Sequence, residues 1–139
     1  MNTESHPHSR PHTWRRSFMP VVENIPEARH GAQLVLASWD VPDDVSDTVA
    51  LILTELATNA VRHARRPGRT LTVVLALAHD GRKTIEVEVY DGSPHHPVLN
   101  GYDPAATSGR GLLLVDALCE EWGVRAREFG KSVWARVIS

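Results

Sequence analysis

A chain of 139 residues, 42% hydrophobic and 23% charged, has the size and composition of a single soluble globular domain. Fifteen basic against 17 acidic residues give a formal net charge of −2, which gives no reason to expect nucleic acid or an anionic membrane as partner, since both demand a basic face. The lone cysteine, Cys119, rules out an intrachain disulfide and an all-cysteine metal site. The longest apolar run, Val73–Ala78, is far short of the roughly 20 residues that span a bilayer, so a cytoplasmic protein is expected.

Residues 1–12, MNTESHPHSRPH, are polar, carry two prolines and lack a signal-peptide apolar core. They are expected to form a disordered tail, leaving 13–139 as one domain. His6, His8 and His12 lie in that tail, where a flexible chain supplies no fixed geometry for a metal. Trp14 to Val22 suits a short strand, which Pro20 confines to a sheet edge or an end. Pro26 then opens a first helix to about Ser38, with Ala28, Ala32, Val35 and Leu36 at helical spacing. Pro42 and the acids Asp43 and Asp44 open a second helix, favoured by its dipole, and Val45, Val49, Ile52, Leu56 and Ala60 carry its apolar stripe to about Ala64.

Two alternating segments follow, Thr70–Ala78 and Thr84–Asp91, joined at the hairpin signal Asp80-Gly81. In the second, Ile85, Val87 and Val89 mark a buried face and Glu86, Glu88 and Tyr90 a wet one. The stretch from Gly92 to Ser108 has no periodicity. A third helix is expected from about Gly111 to Glu121, and Gly123 leads into strands Val124–Phe129 and Ser132–Ile138. The order β-α-α-β-β-loop-α-β-β predicts an α/β (α+β) two-layer sandwich, with one mixed, mostly antiparallel sheet and three helices packed on one face.

Three features carry chemistry. Glu55, Asn59 and His63, spaced by four, lie on one strip of the second helix beside its apolar stripe. A carboxylate and a carboxamide there need partners, and a hard cation bearing phosphate oxygens is one; a polar helix edge facing solvent has the same spacing. Asp91 shares the buried face of its strand at the strand's end. It suits either an amine donor such as that of adenine or an ordinary turn cap before Gly92-Ser93-Pro94. Ser108-Gly109-Arg110-Gly111 runs directly into a helix, where exposed backbone N–H groups and the dipole favour phosphate, although glycines also serve as plain turn residues.

Taken in order, ELATNAVRHA (Glu55–Ala64), Asp91-Gly92, Gly109-Arg110-Gly111-Leu112 and Gly130-Lys131-Ser132-Val133 resemble the GHKL ATPase/kinase superfamily, over about residues 14 to 138. Within it the chain is most similar to the anti-sigma-factor serine/threonine kinases of bacterial partner-switching systems. The resemblance implies a Bergerat-type ATP-binding fold with ATP and Mg²⁺ as cofactors. Glu55 is then the general base and Asn59 the Mg²⁺ ligand, and His63 is a packed helix histidine beside the site. Asp91, followed by Gly92, accepts the adenine amine, and the Ser132 hydroxyl bonds near that aspartate. Gly109, Arg110, Gly111 and Leu112 form the phosphate end of a lid spanning Gly92 to Ser108. The implied partners are an anti-sigma-factor antagonist protein and a sigma factor, and a homodimer is compatible with the resemblance.

One departure stands out: Ser93 and His95 occupy positions where the family's first glycine box has glycine. It sets two readings side by side, a kinase that retains its base at Glu55 and a binding module with a degenerate nucleotide site. A third reading, a sensor histidine kinase fragment, is disfavoured because no helical hairpin with a phosphoacceptor histidine precedes the Glu55 helix.

Overall fold

The computed structural model describes residues 12–63, 70–79, 81–91, 110–127 and 130–139. Strand β1 (His12–Phe18) leads through a 3-10 turn (Val22–Asn24) into α1 (Ile25–Ser38) and α2 (Asp43–His63). The hairpin β2 (Leu71–His79) and β3 (Lys83–Asp91), helix α3 (Arg110–Leu118) and the hairpin β4 (Glu121–Arg127) and β5 (Gly130–Ile138) follow. The five strands form one sheet in the order β1-β2-β3-β5-β4. Every pairing in it is antiparallel, so the sheet expected to be mixed and mostly antiparallel has no parallel pair among the described residues.

The helices cover one face. Pleat alternation turns Leu71, Val73, Leu75 and Leu77 of β2, Ile85, Val87 and Val89 of β3 and Val133, Ala135 and Val137 of β5 toward them, and all ten are buried. Against these pack Ala28, Ala32 and Leu36 of α1, Val49, Ile52, Leu53 and Leu56 of α2, and Leu112 and Val115 of α3. Each large aliphatic side chain removed from water here contributes about 1.5–3 kcal/mol. Gly81, at φ 83°, supplies the positive φ of the β2–β3 turn.

The α1–α2 connection is as tight as the sequence spacing demanded. Asp40 takes φ 60°, and its N–H donates to the Ala37 carbonyl while the Val41 N–H donates to Leu36, both at 3.0 Å. This is a Schellman closure with aspartate in the left-handed position, and buried Val41 and Leu36 supply its apolar contact.

Several boundaries differ from the sequence reading. The first strand, expected over Trp14–Val22, ends at Phe18, and Val22 already opens the 3-10 turn into α1. His12, assigned there to the tail, belongs to β1, where it pairs with Leu77 and stacks on Trp39 with ring centroids 5.5 Å apart. Helix α3 ends at Leu118, and β4 begins at Glu121 where Val124 was expected. The Glu120 N–H already donates to the Arg136 carbonyl at 2.8 Å, which places the chain on the sheet ladder three residues early. Gly123, read as the connection into the strand, lies inside β4 and is covered by Trp134 from β5. No helix among the described residues is long and apolar enough to cross a membrane.

Candidate functional site

Helix α2 runs 21 residues because its acids open it and its apolar stripe packs against the sheet; Thr54 and Thr58 satisfy their hydroxyls on the carbonyls four residues back. On its strip Glu55 is half-buried and Asn59 is 4% exposed. The polar-edge alternative, in which the strip faces solvent, does not hold for Asn59. The Oδ1 atom of Asn59 is a buried acceptor that receives no hydrogen bond, whereas the residue is engaged through other atoms. His63 is the last residue of α2, and its side chain lies outside the described residues.

Helix α2 packs against β3 and α3, so the three elements that carry the motifs meet. Asp91 is the final residue of β3 and pairs with Leu71. Alternation from Val89 sets it on the helix side of the sheet, and its side chain lies outside the described residues. Arg110 and Gly111 form the first turn of α3, as a phosphate-binding helix start requires, but only their backbone is described. Leu112 is 3% exposed and joins the hydrophobic core, which anchors that first turn. Gly92, Gly109 and the expected lid between them lie outside the described residues, as do His6 and His8.

Ser132 is 1% exposed and stands opposite Tyr90, which sets it on the sheet face away from the helices. Its hydroxyl donates to Glu88 Oε2 at 2.5 Å. Alternation gives Asp91 the other face, so this bond lies on the reverse side of the strand from the aspartate. Glu88 itself corrects an expectation: the face read as wet holds a carboxylate that is only 6% exposed. The covering groups are Trp134, its cross-strand neighbour, and Arg125, whose Nη1 lies 3.5 Å from Glu88 Oε1 and 3.0 Å from Glu86 Oε2. Arg136 reaches Glu86 at 3.4 Å and Glu121 at 2.7 Å. The Arg125 and Arg136 guanidinium groups each lie over the Trp134 ring, 4.7 and 5.1 Å from its centroid. The hydrogen bond that Arg125 donates to the Glu86 carboxylate, stronger than the opposing effect of burial, raises its pKa above the ordinary arginine value. On the same face Arg15 of β1 bonds and stacks on Tyr90, and the Ser17 and Thr72 hydroxyls bond at 2.9 Å.

The α2 donors fit a magnesium–nucleotide complex. Among the described residues no three His, Cys, Asp or Glu side chains gather as a metal cluster. A buried carboxamide oxygen one turn beyond a half-buried carboxylate suits an ion that takes most of its ligands from phosphate and water.

The chain was also compared with known proteins. The histidine kinase-like ATPase domain family matches residues 18–137, from the last residue of β1 to the penultimate residue of β5. No curated protein matches the chain. The match takes in both motif-bearing helices, three of the five strands whole and all of β5 but its last residue, and the antiparallel sheet with helices on one face is the fold such a domain requires. The chain therefore belongs to the histidine kinase-like ATPase domain family, the GHKL-type ATP-binding domains.

Proposed function

We propose that the chain is an ATP- and Mg²⁺-dependent serine/threonine protein kinase of the anti-sigma-factor type, which phosphorylates an antagonist protein and binds a sigma factor in alternation with it. The observation that carries this reading is the half-buried Glu55 one helical turn before the buried Asn59, on the helix that packs against both β3 and α3. A domain that only binds partners has no use for a carboxylate held there.

In this mechanism Asp91 accepts the exocyclic amine of adenine, and the backbone N–H groups at the start of α3 receive phosphate oxygens. Asn59 would hold Mg²⁺ through its side-chain oxygen, where the ion would supply positive charge against the phosphates. Glu55 orients the substrate hydroxyl and takes its proton as the oxygen bonds to the γ-phosphorus. The bond from that phosphorus to the β–γ bridging oxygen breaks, and ADP leaves. Positioning and charge stabilisation supply most of the rate, as in other phosphoryl transfers.

A second reading, a regulatory module without transfer activity, is favoured by Ser93 and His95 at glycine-box positions. One variant separates the two. Glu55→Gln keeps the shape of the side chain and removes the base, so Mg-ATP binding stays within a few-fold while radiolabel transfer to the antagonist falls by about 10²–10⁴. Robust transfer by the glutamine variant removes Glu55 from the mechanism. A parent that binds ATP tightly and labels none of a panel of antagonist proteins favours the module.

A further inference from the structure

The buried polar pair on the reverse face of the sheet has no part in the chemistry above. Glu88 and Ser132 are 44 residues apart in sequence, yet both are almost fully enclosed and joined at 2.5 Å. Enclosing a carboxylate is unfavourable unless donors surround it, and a leucine at this position would cost nothing of the kind. The place of the pair in the ladder suggests what it does. Tyr90 and Ser132 form the last rung between β3 and β5, and the next residue of β3 is Asp91.

The apolar alternation of β3 fixes which face each residue takes, because a slip by one would drive Glu86, Glu88 and Tyr90 into the core. A slip by two is different. It keeps every apolar residue inside, so the hydrophobic pattern is blind to it. Such a slip breaks the Ser132–Glu88 bond and the Arg125 contacts to Glu86 and Glu88, and it displaces Asp91 along the sheet by two residues. The polar bonds on the reverse face tell the two registers apart. We infer that Glu88 and Ser132, steadied by Arg125, are positioning residues for nucleotide recognition: they lock the register of β3 on β5 and so fix where Asp91, the last residue of β3, sits relative to β5. The inference rests on the reading of Asp91 as the adenine acceptor.

The test is calorimetric titration of the full chain with Mg-ATP and with Mg-GTP, at a temperature where melting curves show every variant folded. The parent prefers ATP, since guanine presents a carbonyl oxygen where adenine presents its amine. Ser132→Ala removes the donor to Glu88 and lowers the ATP-to-GTP preference several-fold. Glu88→Gln keeps an oxygen that accepts from Ser132 and holds the preference within about twofold of the parent. Arg125→Gln, at a partly exposed position, shifts the preference in the same direction as Ser132→Ala and serves in its place if the alanine variant does not fold. A purely structural pair would lower the melting temperature and leave the preference untouched, and that result overturns the inference. Loss of preference in Glu88→Gln equal to that in Ser132→Ala also overturns it. A parent that binds both nucleotides equally refutes the Asp91 reading itself, and does so before any variant is made.

Discussion

Adding a single methyl group at Gly123 tests the arrangement on the reverse face most directly. A Cβ there would lie 3.0 Å from Trp134 Cζ2, 3.1 Å from Nε1 and 3.2 Å from Cε2. The ring has little room to retreat, because Arg125 and Arg136 pack over it at 4.7 and 5.1 Å and Glu88 stands across from it in β3. Overpacking of this kind costs about 1–3 kcal/mol. Alanine regains about 0.5–1 kcal/mol over glycine in a strand interior, because glycine loses more chain freedom on folding. The net destabilisation of Gly123→Ala is therefore about 0.5–2 kcal/mol. With about 2.1 cal/mol/K of unfolding entropy per residue, 139 residues give a fall in Tm of about 2–7 °C.

A double-mutant cycle assigns the cause. In a Trp134→Ala background the clash is gone, and Gly123→Ala becomes neutral or stabilising. Scanning calorimetry on the four proteins reads the cycle. A Gly123→Ala protein that melts at or above the parent's Tm, or a penalty that persists without Trp134, refutes the packing argument.

Asn59→Ala weakens Mg-ATP binding measured by calorimetry while far-UV circular dichroism stays that of the parent; unchanged affinity in a folded variant removes Asn59 as the metal ligand. The Cys119 thiol is pushed up from its ordinary pKa by burial and by the Asp116 carboxylate, so it stays protonated at neutral pH. Alkylation of the folded protein by iodoacetamide is accordingly slower than that of a free cysteine near pH 8 and accelerates as the pH is raised through the thiol's elevated pKa; a rate equal to that of free cysteine at pH 8 contradicts this environment.

The parts of the fold that were legible in the sequence are those written in local periodicity. The stripe of Val45, Val49, Ile52, Leu56 and Ala60 marks α2, and the alternation of Ile85, Val87 and Val89 marks β3, because each pattern needs only neighbours in the chain. The start of β4 was not legible. Glycine at 123 reads as a break, and only Trp134, eleven residues later, explains why it sits within a strand. His12 joins β1 for a similar reason, since its partners Leu77 and Trp39 are remote in sequence.

The candidate site divides the same way. Glu55 and Asn59 share one helix, so their spacing alone set them on one strip. Glu88 looked like any outward strand acid. Its enclosure depends on the register that brings Ser132, Trp134 and Arg125 around it, and composition holds no trace of that register.

The position of β1 bears on the order in which the molecule assembles. The strand is an outer one, and its hydrogen-bonding partner is β2, with His12 set against Leu77 and Phe18 against Leu71. Both β2–β3 and β4–β5 are hairpins that close over short connections, whereas joining β1 to β2 closes a loop containing two helices. During synthesis β1 is the first of the five strands of this sheet to leave the ribosome, and its partner β2 follows only after all of α1 and α2. In the interval α1 can hold it. The Trp14 ring lies over Gly31, where an added Cβ would approach it to 3.2 Å, and Arg16 bonds Glu27 at 2.7 Å. Those contacts span fewer than twenty residues, so the nascent strand can dock on its own helix before the sheet exists. Its unpaired edge is then partly screened from neighbouring chains on the same message, where an open β-edge invites aggregation.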